Sequence, residues 1–396
     1  MFLLDQPYIS EYLIETIQKN GFPVVSTPEA RKMLQGLDLP WISEEQARSR
    51  IEAQPWTPVY SNSENALAWM AEQAAFRGLA EKVGLFKNKS RFRDLIRDLS
   101  PDFRYRTLSL EELEDMDAEA FGFPFVIKPS VGFFSLGVHI VKNVEDWDSV
   151  RTELNSEALQ VQFPAAVLDT GSFIVEQYLE GEEYAVDCYF NTRGEVVVLG
   201  IFHHWFGSGA DTSDRVYVTS REVIRSHEKA FTGYLNEIGK RAELKNFPAH
   251  VELRVDPRGQ IRAVEVNPLR FGGFCTTADL AGINLGYNPY EYYIRQEKPQ
   301  WDEVFRGREE RIQGLVVLNN NSGYRPEEIA AFDYELLASD FSQVRMIRKL
   351  DIRTKPVFGF VFAESTPGKE KDLEAILRSD LRKYIRLKSG GHPSSK

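Results

Sequence analysis

Two carboxylates and an amide have the residue types and the spacing of a metal site. Glu265 and Asn267 are two residues apart in an apolar run, so both point to one face of a strand. If this strand pairs across the turn at residues 256–259, Glu252 lies near Glu265. Adjacent carboxylates repel each other unless a cation lies between them, and oxygen ligands favour magnesium or manganese over zinc. The pattern predicts a divalent metal site; the alternative is a solvated hairpin with ordinary surface charges.

Two further segments can contact a nucleotide. Lys128 ends an apolar strand and precedes a turn at residues 131–136, whose backbone amides can meet phosphate oxygens. The apolar strand at residues 174–178 reaches a break at Gly181, where backbone groups and carboxylates can contact an adenine ring and ribose hydroxyls. The ordinary explanations are a lysine that extends to solvent from a strand end and an acidic turn between strands.

The first 85 residues have the pattern of a small α/β domain. A short apolar strand at residues 2–5 precedes a helical pattern at 9–20, which Gly21 ends before a second strand at 22–25. The polar cluster at 61–64 can cap the next helical stretch. There is no Gly-x-Gly-x-x-Gly after the first strand, so the sequence does not support a dinucleotide site there.

The rest of the chain is predicted to be a mixture of strands and helices. Residues 124–129 and 138–141 form a hairpin, and a helix follows at 146–159. We expect strands at 172–178 and 183–191 on either side of Gly181, and an antiparallel set at 195–202, 250–255 and 261–266. In the tail, we expect strands at 315–319, 344–350 and 357–363 and helices at 326–339 and 370–384.

Composition excludes several classes of protein. The 396 residues include 42% hydrophobic and 27% charged residues, which is typical of a folded globular protein. The net charge of −11 is unsuited to a general binder of nucleic acid or of anionic lipid. No apolar run approaches the length of a membrane helix, and the first residues lack the features of a signal peptide. With two cysteines, Cys188 and Cys275, we expect a protein of the cytoplasm.

These segments, in this order, resemble the ATP-grasp superfamily of carboxylate-amine ligases. Residues 88–93, Asn-Lys-Ser-Arg-Phe-Arg, are similar to the segment that opens the family's ATP-binding region. The resemblance spans about residues 87–273. It implies an ATP-grasp domain at 87–313, with a small lobe at about 120–180 and a large lobe at about 181–300. The implied fold class is mixed, α/β and α+β: a Rossmann-like domain at 1–86 precedes the ATP-grasp domain, and an α+β subdomain at 314–396 follows it.

The resemblance also implies roles for individual residues, with ATP and Mg²⁺ or Mn²⁺ as cofactors. The implied nucleotide-binding residues are Lys89, Lys128, Ser135, Glu176, Gln177, Leu179 and Glu183. The implied metal ligands are Glu252, Glu265 and Asn267, and the catalytic candidates are Lys128 and Arg270. Arg270 stands three positions after Asn267, whereas many ligases of this family have an arginine two positions after it.

The implied reaction joins a small carboxylate to an amine through an acyl phosphate and forms an amide or peptide bond. The expected substrates are amino acids or a small peptide-like metabolite, and a homodimer is a possible assembly. His203 and His204 are candidates for a substrate contact, although such a pair at a strand end is more often structural. The alternative functions are an ATP-dependent phosphotransferase on the same fold and a nucleotide-binding regulatory protein without turnover.

Overall fold

The computed structural model describes residues 1–72, 77–131, 137–154, 172–207 and 214–388. Its helices are α1 (Glu11–Asn20), α2 (Pro28–Met33), α3 (Glu44–Ala53), α4 (Glu64–Glu72), α5 (Arg77–Lys87), α6 (Lys89–Leu95), α7 (Leu110–Glu114), α8 (Ala118–Phe121), α9 (Val144–Leu154), α10 (Arg221–Arg241), α11 (Thr276–Leu280), α12 (Pro289–Arg295), α13 (Trp301–Val304), α14 (Tyr334–Ser339) and α15 (Lys371–Leu377). No helix in these ranges is long and apolar enough to cross a membrane.

The strands form four sheets. They are β1 (Phe2–Leu3), β2 (Val24–Val25), β3 (Trp41–Ile42), β4 (Tyr60–Ser61), β5 (Tyr105–Ser109), β6 (Phe125–Pro129), β7 (His139–Val141), β8 (Ser172–Gln177), β9 (Glu182–Phe190), β10 (Val196–Trp205), β11 (Val216–Thr219), β12 (Phe247–Val255), β13 (Ile261–Pro268), β14 (Ile312–Asn319), β15 (Ile329–Phe332), β16 (Val344–Lys349), β17 (Val357–Ser365) and β18 (Ile385–Leu387). The predicted mixed class, α/β and α+β, is therefore confirmed.

The N-terminal sheet is parallel, with the strand order β3-β2-β1-β4. Ser10 caps α1 by accepting a hydrogen bond from the backbone of Leu13 at 3.1 Å. Gly21 ends α1 in the left-handed conformation at φ 63°, which glycine adopts without a steric penalty. The β-α-β unit predicted at the start of the chain is confirmed.

A smaller antiparallel sheet, in the order β5-β8-β6-β7, follows along the chain. Phe125 pairs with Val141, which confirms the predicted hairpin of β6 and β7. One face of this sheet packs against α9, where Trp147 and Val150 are buried against Phe125 and Ile127. The opposite face of the sheet lines a cleft.

The large sheet has eight antiparallel strands in the order β13-β12-β9-β10-β11-β14-β17-β16. It contains the predicted antiparallel set, which forms β10, β12 and β13, together with the predicted strand β9. Three strands of the tail join the same sheet through the pairing of β11 with β14. The amphipathic helix α10 packs on the sheet through Ile224, Phe231 and Leu235. The tail strands thus lie in the same sheet as the predicted metal ligands.

Two helices predicted in the tail are wrong in extent. Residues 326–339 contain a short 3-10 turn, then β15, and then α14. The helix begins only at Tyr334, because the Asp333 side chain caps it by accepting a hydrogen bond from the backbone of Leu336. β15 instead pairs with β18 at the end of the chain. The second helix ends at Leu377 rather than at residue 384, and Leu381 follows at a φ of 63°, outside the helical region.

A buried ion pair joins distant parts of the chain behind the large sheet's edge. Arg348 of β16 binds the carboxylate of Asp279 and also donates a hydrogen bond of 2.7 Å to the carbonyl of Phe274. The hydroxyl of Tyr290 donates to the same carboxylate at 2.9 Å. Burial raises the pKa of Asp279 to about 6, although Arg348 opposes this shift. The pair therefore connects the segment that follows Arg270, at residues 274–279, to strand β16 of the tail.

Candidate active site

The predicted site residues line one cleft of about 1200 Å³, to which the small and the large sheets both contribute. The ten that the structure describes all lie on its surface: Lys89, Lys128, Glu176, Gln177, Leu179, Glu183, Glu252, Glu265, Asn267 and Arg270. Ser135, the remaining one, falls at 132–136, outside the described residues. A cleft of this volume has room for a nucleotide and a second small molecule.

Lys128, Glu176 and Arg93 form a buried ion cluster on one wall of the cleft. Lys128 and Glu176 lie diagonally across the pairing of β6 with β8, so their side chains meet on the same face of the sheet. Arg93 of α6 binds both oxygens of Glu176, at 2.8 and 3.2 Å. Burial acts to raise the pKa of Glu176, but Arg93 and Lys128 together lower it to about 2. The carboxylate is therefore ionised at neutral pH.

Sequence reasoning missed the role of Arg93. Its guanidinium also donates hydrogen bonds to the carbonyls of Ala263 and Val264 in β13. One side chain thus connects α6, the small sheet and the strand that carries the predicted metal ligands. The signal for this role is in the sequence, because Arg93 is the last residue of the Asn-Lys-x-x-x-Arg segment at 88–93.

Lys89 lies at the same end of the cleft as Lys128. It is the first residue of α6, where the Asn88 side chain caps the helix. Its backbone N–H donates to the carbonyl of Ser130 at 2.9 Å, which fixes the start of α6 beside the end of β6. The pKa of Lys128 is lowered by burial, and the charges of Arg93 and Lys89 act in the same direction against the effect of Glu176. Two lysines of this kind can meet an anionic phosphate chain.

Glu183 has two partners on neighbouring strands. It lies opposite Arg254 of β12 and opposite His204 of β10, and its two oxygens contact Arg254 at 2.8 Å and His204 at 2.9 Å. Burial acts to raise the pKa of Glu183, but His204 and Arg254 lower it overall. The guanidinium of Arg254 also lies over the ring of Tyr178 and binds the carbonyl of Leu179. Glu183 is thereby held next to the segment predicted to contact adenine.

The predicted metal ligands meet as their spacing requires. Glu252 and Glu265 are direct cross-strand partners in β12 and β13, and Asn267 donates to Glu265 at 3.1 Å. Burial raises the pKa of Glu252 well above its ordinary value, and the negative charges of Glu265, Glu183 and Asp214 add to the shift. A small cation between the two carboxylates would relieve this repulsion, so the donor set fits a hard divalent ion.

Within the described ranges, no three His, Cys, Asp or Glu side chains are grouped as a metal site. The predicted set instead combines two carboxylates with an amide. Its oxygen donors match the preference of magnesium, which usually takes few protein ligands and completes its coordination with substrate phosphates and water.

Arg270 lies in the cleft. It donates to the amide oxygen of Asn267 at 2.7 Å and to the carboxylate of Glu64 at 3.1 Å. Leu269, at a φ of 59°, turns the chain directly after β13 and sets the direction of Arg270. Glu64, at the start of α4, was not predicted; Lys87 binds its other oxygen at 3.2 Å. Burial acts to raise the pKa of Glu64, but Arg270 and Lys87 lower it overall.

Part of the chain that forms the cleft matches a known family of domains. Residues 121–278 match the family described as ATP-grasp domain. No curated protein matches the sequence of the chain. Its fold is similar to those of many solved structures.

Three solved structures illustrate the similarity. The L-amino acid ligase from Bacillus licheniformis has a TM-score of 0.66 at 17% identity, with 98% of each chain covered. The N5-carboxyaminoimidazole ribonucleotide synthetase from Thermotoga maritima has a TM-score of 0.62 at 15% identity, again with 98% of each chain covered. The biotin carboxylase domain dimer of the 2-oxoglutarate carboxylase from Hydrogenobacter thermophilus, in complex with MgADP, ADP and bicarbonate, has a TM-score of 0.59 at 13% identity, covering 92% of this chain and 86% of that one. At these identities the similarity concerns the fold.

Proposed function

We propose that the protein is an ATP-dependent ligase that joins a small carboxylate to an amine, because residues 121–278 match the family described as ATP-grasp domain. Amino acids or small peptide-like compounds are the proposed substrates. The observation that carries the proposal is that two lysines, an oxygen donor set and an arginine, from separate parts of the sequence, line one cleft. These are the groups that phosphoryl transfer to a carboxylate needs.

The nucleotide end of the cleft is proposed to be the one lined by the small sheet. Lys89 and Lys128 bind the phosphate chain, and the segment from Glu176 to Leu179 contacts the adenine ring. Glu183 accepts hydrogen bonds from the ribose hydroxyls. The ion pairs of Glu176 and Glu183 support this assignment, because they keep both carboxylates ionised and oriented before a ligand arrives.

Glu252, Glu265 and Asn267 are the residues proposed to hold magnesium, with manganese as the alternative. When bound, such an ion neutralises phosphate charge that the two lysines alone leave uncompensated. The MgADP bound in the structurally similar biotin carboxylase domain supports the choice of metal and nucleotide. The L-amino acid ligase among the similar folds supports amide formation.

The proposed chemistry activates a poor electrophile. A carboxylate resists attack because its leaving group would be oxide, so a carboxylate oxygen first attacks the γ-phosphorus of ATP, and the bond to the ADP oxygen breaks. The amine then attacks the acyl carbon, the bond to the phosphate oxygen breaks, and the nitrogen loses a proton. Arg270 binds the acyl phosphate through charge-assisted hydrogen bonds.

The domain limits also remain proposals. We propose an N-terminal α/β domain at residues 1–86, an ATP-grasp domain at 87–313 with lobes at about 120–180 and 181–300, and a C-terminal α+β subdomain at 314–396. The large sheet is continuous from β13 to β16, which supports the view that the last two pack together around the cleft.

A screen of acid and amine pairs tests the proposed function. The protein is incubated with Mg·ATP and pairs of amino acids or small acids, and both ADP and inorganic phosphate are measured. We expect equal amounts of ADP and phosphate, formed only when an acid and an amine are both present. Glu265→Gln is expected to abolish this release, because it removes a charged oxygen ligand without changing the side-chain volume.

The products distinguish the alternatives. ADP formation without free phosphate in the presence of one acceptor would indicate a phosphotransferase. ATP binding with no ADP from any mixture would indicate a regulatory protein. Wild-type turnover by Glu265→Gln would contradict the assignment of the metal ligands.

A further inference from the structure

The cleft has an apolar end, built from parts of the chain that the proposed chemistry does not use. Five apolar residues line it, which we name the apolar wall: Phe274, Leu315, Val317, Val357 and Phe360. Val317 is half-buried, and the other four are buried against one another. Leu315 and Val317 belong to β14, and Val357 and Phe360 belong to β17. Among the described residues of these two strands that line the cleft, Asn319 is the one polar side chain. Such a surface favours an apolar ligand group.

The pairing of the large sheet shows how the charged end turns into the apolar end. One row of cross-strand partners runs from Arg254 through Glu183, His204, Tyr217 and Leu315 to Phe362. Side chains of one row share a face of a sheet, so this row crosses the floor of the cleft. The row changes from polar side chains to aromatic and aliphatic ones at Tyr217, which marks the border between the two ends.

Aromatic packing and a backbone hydrogen bond hold Phe274 in the apolar wall. The Phe274 ring packs on Phe360 with ring centroids 5.5 Å apart, and Tyr8 stacks behind it at 6.3 Å. Phe274 has a φ of 55°, a conformation that a bulky residue adopts only when its surroundings impose it. Arg348 supplies that constraint through its hydrogen bond of 2.7 Å to the carbonyl of Phe274. A preformed surface loses little freedom when a ligand binds.

The wall follows the proposed acyl-phosphate contact along the chain, and both line the same cleft. Phe274 is four residues after Arg270, so their Cα atoms are at most about 14 Å apart even in a fully extended chain. The turn through Gly272 and Gly273, both in the cleft surface, joins them. A small molecule whose carboxylate lies at Arg270 can therefore lay its side chain against Phe274 and β14.

We infer that the apolar wall binds the side chain of the carboxylate substrate, and that this substrate is an amino acid or related small acid with an aliphatic or aromatic side chain. This inference rests on the proposed function, since it takes Arg270 as the carboxylate contact. It assigns the tail strands β14 and β17 a role in substrate selection. Charged side chains are excluded because the wall offers no partner to replace their water.

Direct binding tests the inference without requiring turnover. Leucine, phenylalanine, glutamine and aspartate are titrated by calorimetry into the full chain with Mg²⁺ and a non-hydrolysable ATP analogue. We expect leucine and phenylalanine to bind at least tenfold more tightly than glutamine and aspartate. The variant Val317→Thr, which places a hydroxyl on the wall at nearly constant volume, is expected to weaken leucine binding about tenfold and to leave aspartate unchanged.

Val344→Thr is the matched control. Val344 is also a half-buried valine of the large sheet, but it packs against the opposite core with Val361 and Leu373. It is expected to change the affinity for leucine less than twofold. Equal or tighter binding of glutamine or aspartate, equal effects of the two valine variants, or no binding of any of the four amino acids would each overturn the inference.

Phosphate release separates this inference from the proposed function. If acid and amine pairs release phosphate but the preferred acids are polar, the ligase proposal stands and the assignment of the apolar wall is wrong. If leucine binds with the expected dependence on Val317 but no pair is turned over, the wall is a binding site and the ligase proposal fails.

Discussion

Two buried carboxylates, Glu176 and Asp279, each bind an arginine, and yet their pKa values shift in opposite directions. The pKa of Glu176 falls to about 2, whereas that of Asp279 rises to about 6. Burial raises the pKa of both. Glu176 has two cationic partners, Arg93 and Lys128, whereas Asp279 has only Arg348 among the cations that contact it in the described structure.

The difference follows from the number of cations for each acid. One arginine does not fully offset the loss of water around a buried carboxylate, but two cations more than offset it. Glu64 agrees with this view, because Arg270 and Lys87 both bind it and its pKa is also lowered. Glu176 and Glu64 both line the cleft, where one cation can turn toward a phosphate while the other keeps the carboxylate ionised. The ion pair of Asp279 with Arg348 instead connects helix α11 to strand β16.

Removing the second cation of Glu176 is expected to have the largest effect. In Lys128→Ala, Arg93 still binds Glu176, so the fold is retained, while the nucleotide end loses its buried lysine. We expect ADP formation to fall by a factor of about 10² to 10³, as when a charge-stabilising donor is lost. The measurement is steady-state ADP release with the best acid and amine pair.

Lys142→Ala provides the control, because Lys142 is an exposed lysine directly after β7 in the same lobe. Its activity is expected to match that of the wild type. If Lys128→Ala retained full activity, the role of the cluster in catalysis would be refuted.

Removing the single cation of Asp279 is expected to affect stability. Arg348→Met leaves a buried carboxylate without its counter-charge, which costs about 3–5 kcal/mol of unfolding free energy. Urea unfolding at pH 7 measures this cost. Arg345→Met, on the same strand, removes a more exposed partner of Glu364 and is expected to cost less than about 1 kcal/mol. Similar losses of unfolding free energy in the two variants would contradict the view that the buried Asp279 depends on its single cation.

The raised pKa of Asp279 and the lowered pKa of Glu176 change the unfolding free energy with pH in opposite directions. We expect this effect to be the smallest of the three. Because the folded pKa of Asp279 is about 6 against an ordinary 3.8, the folded state takes up a proton first as the pH falls. Between pH 7 and pH 5, the wild type should therefore gain about 1 kcal/mol relative to Asp279→Asn. Urea unfolding of both proteins at pH 5, 6 and 7 measures this difference, and a difference that does not change with pH would contradict it.

Glu176 contributes nothing to that change. Its folded pKa of about 2 lies below the ordinary 4.5, so its stabilisation is complete above about pH 4.5 and is lost as the pH falls through 2. Glu176→Gln should therefore show the same change in stability between pH 7 and pH 5 as the wild type.

Much of the fold and of the site was predictable from local patterns. The β-α-β start, the hairpin of β6 and β7, and the pairing of Glu252 with Glu265 follow from residue spacing and turn residues. The tail was predicted less well, because β15 is a strand only by virtue of its pairing with β18, about 55 residues later along the chain. A periodic pattern alone does not reveal a distant pairing partner.

The sequence by itself determined which side chains share a strand face and which chemistry they offer, because alternation along a strand is a local property. Only the tertiary structure decided the partners of those groups. Glu176 meets Arg93 across 83 residues, and Arg270 meets Glu64 across 206. Sheet order brought the tail strands to the cleft. The shifts in pKa belong to this second level, because they depend on burial and on the number of charges that folding assembles around each acid.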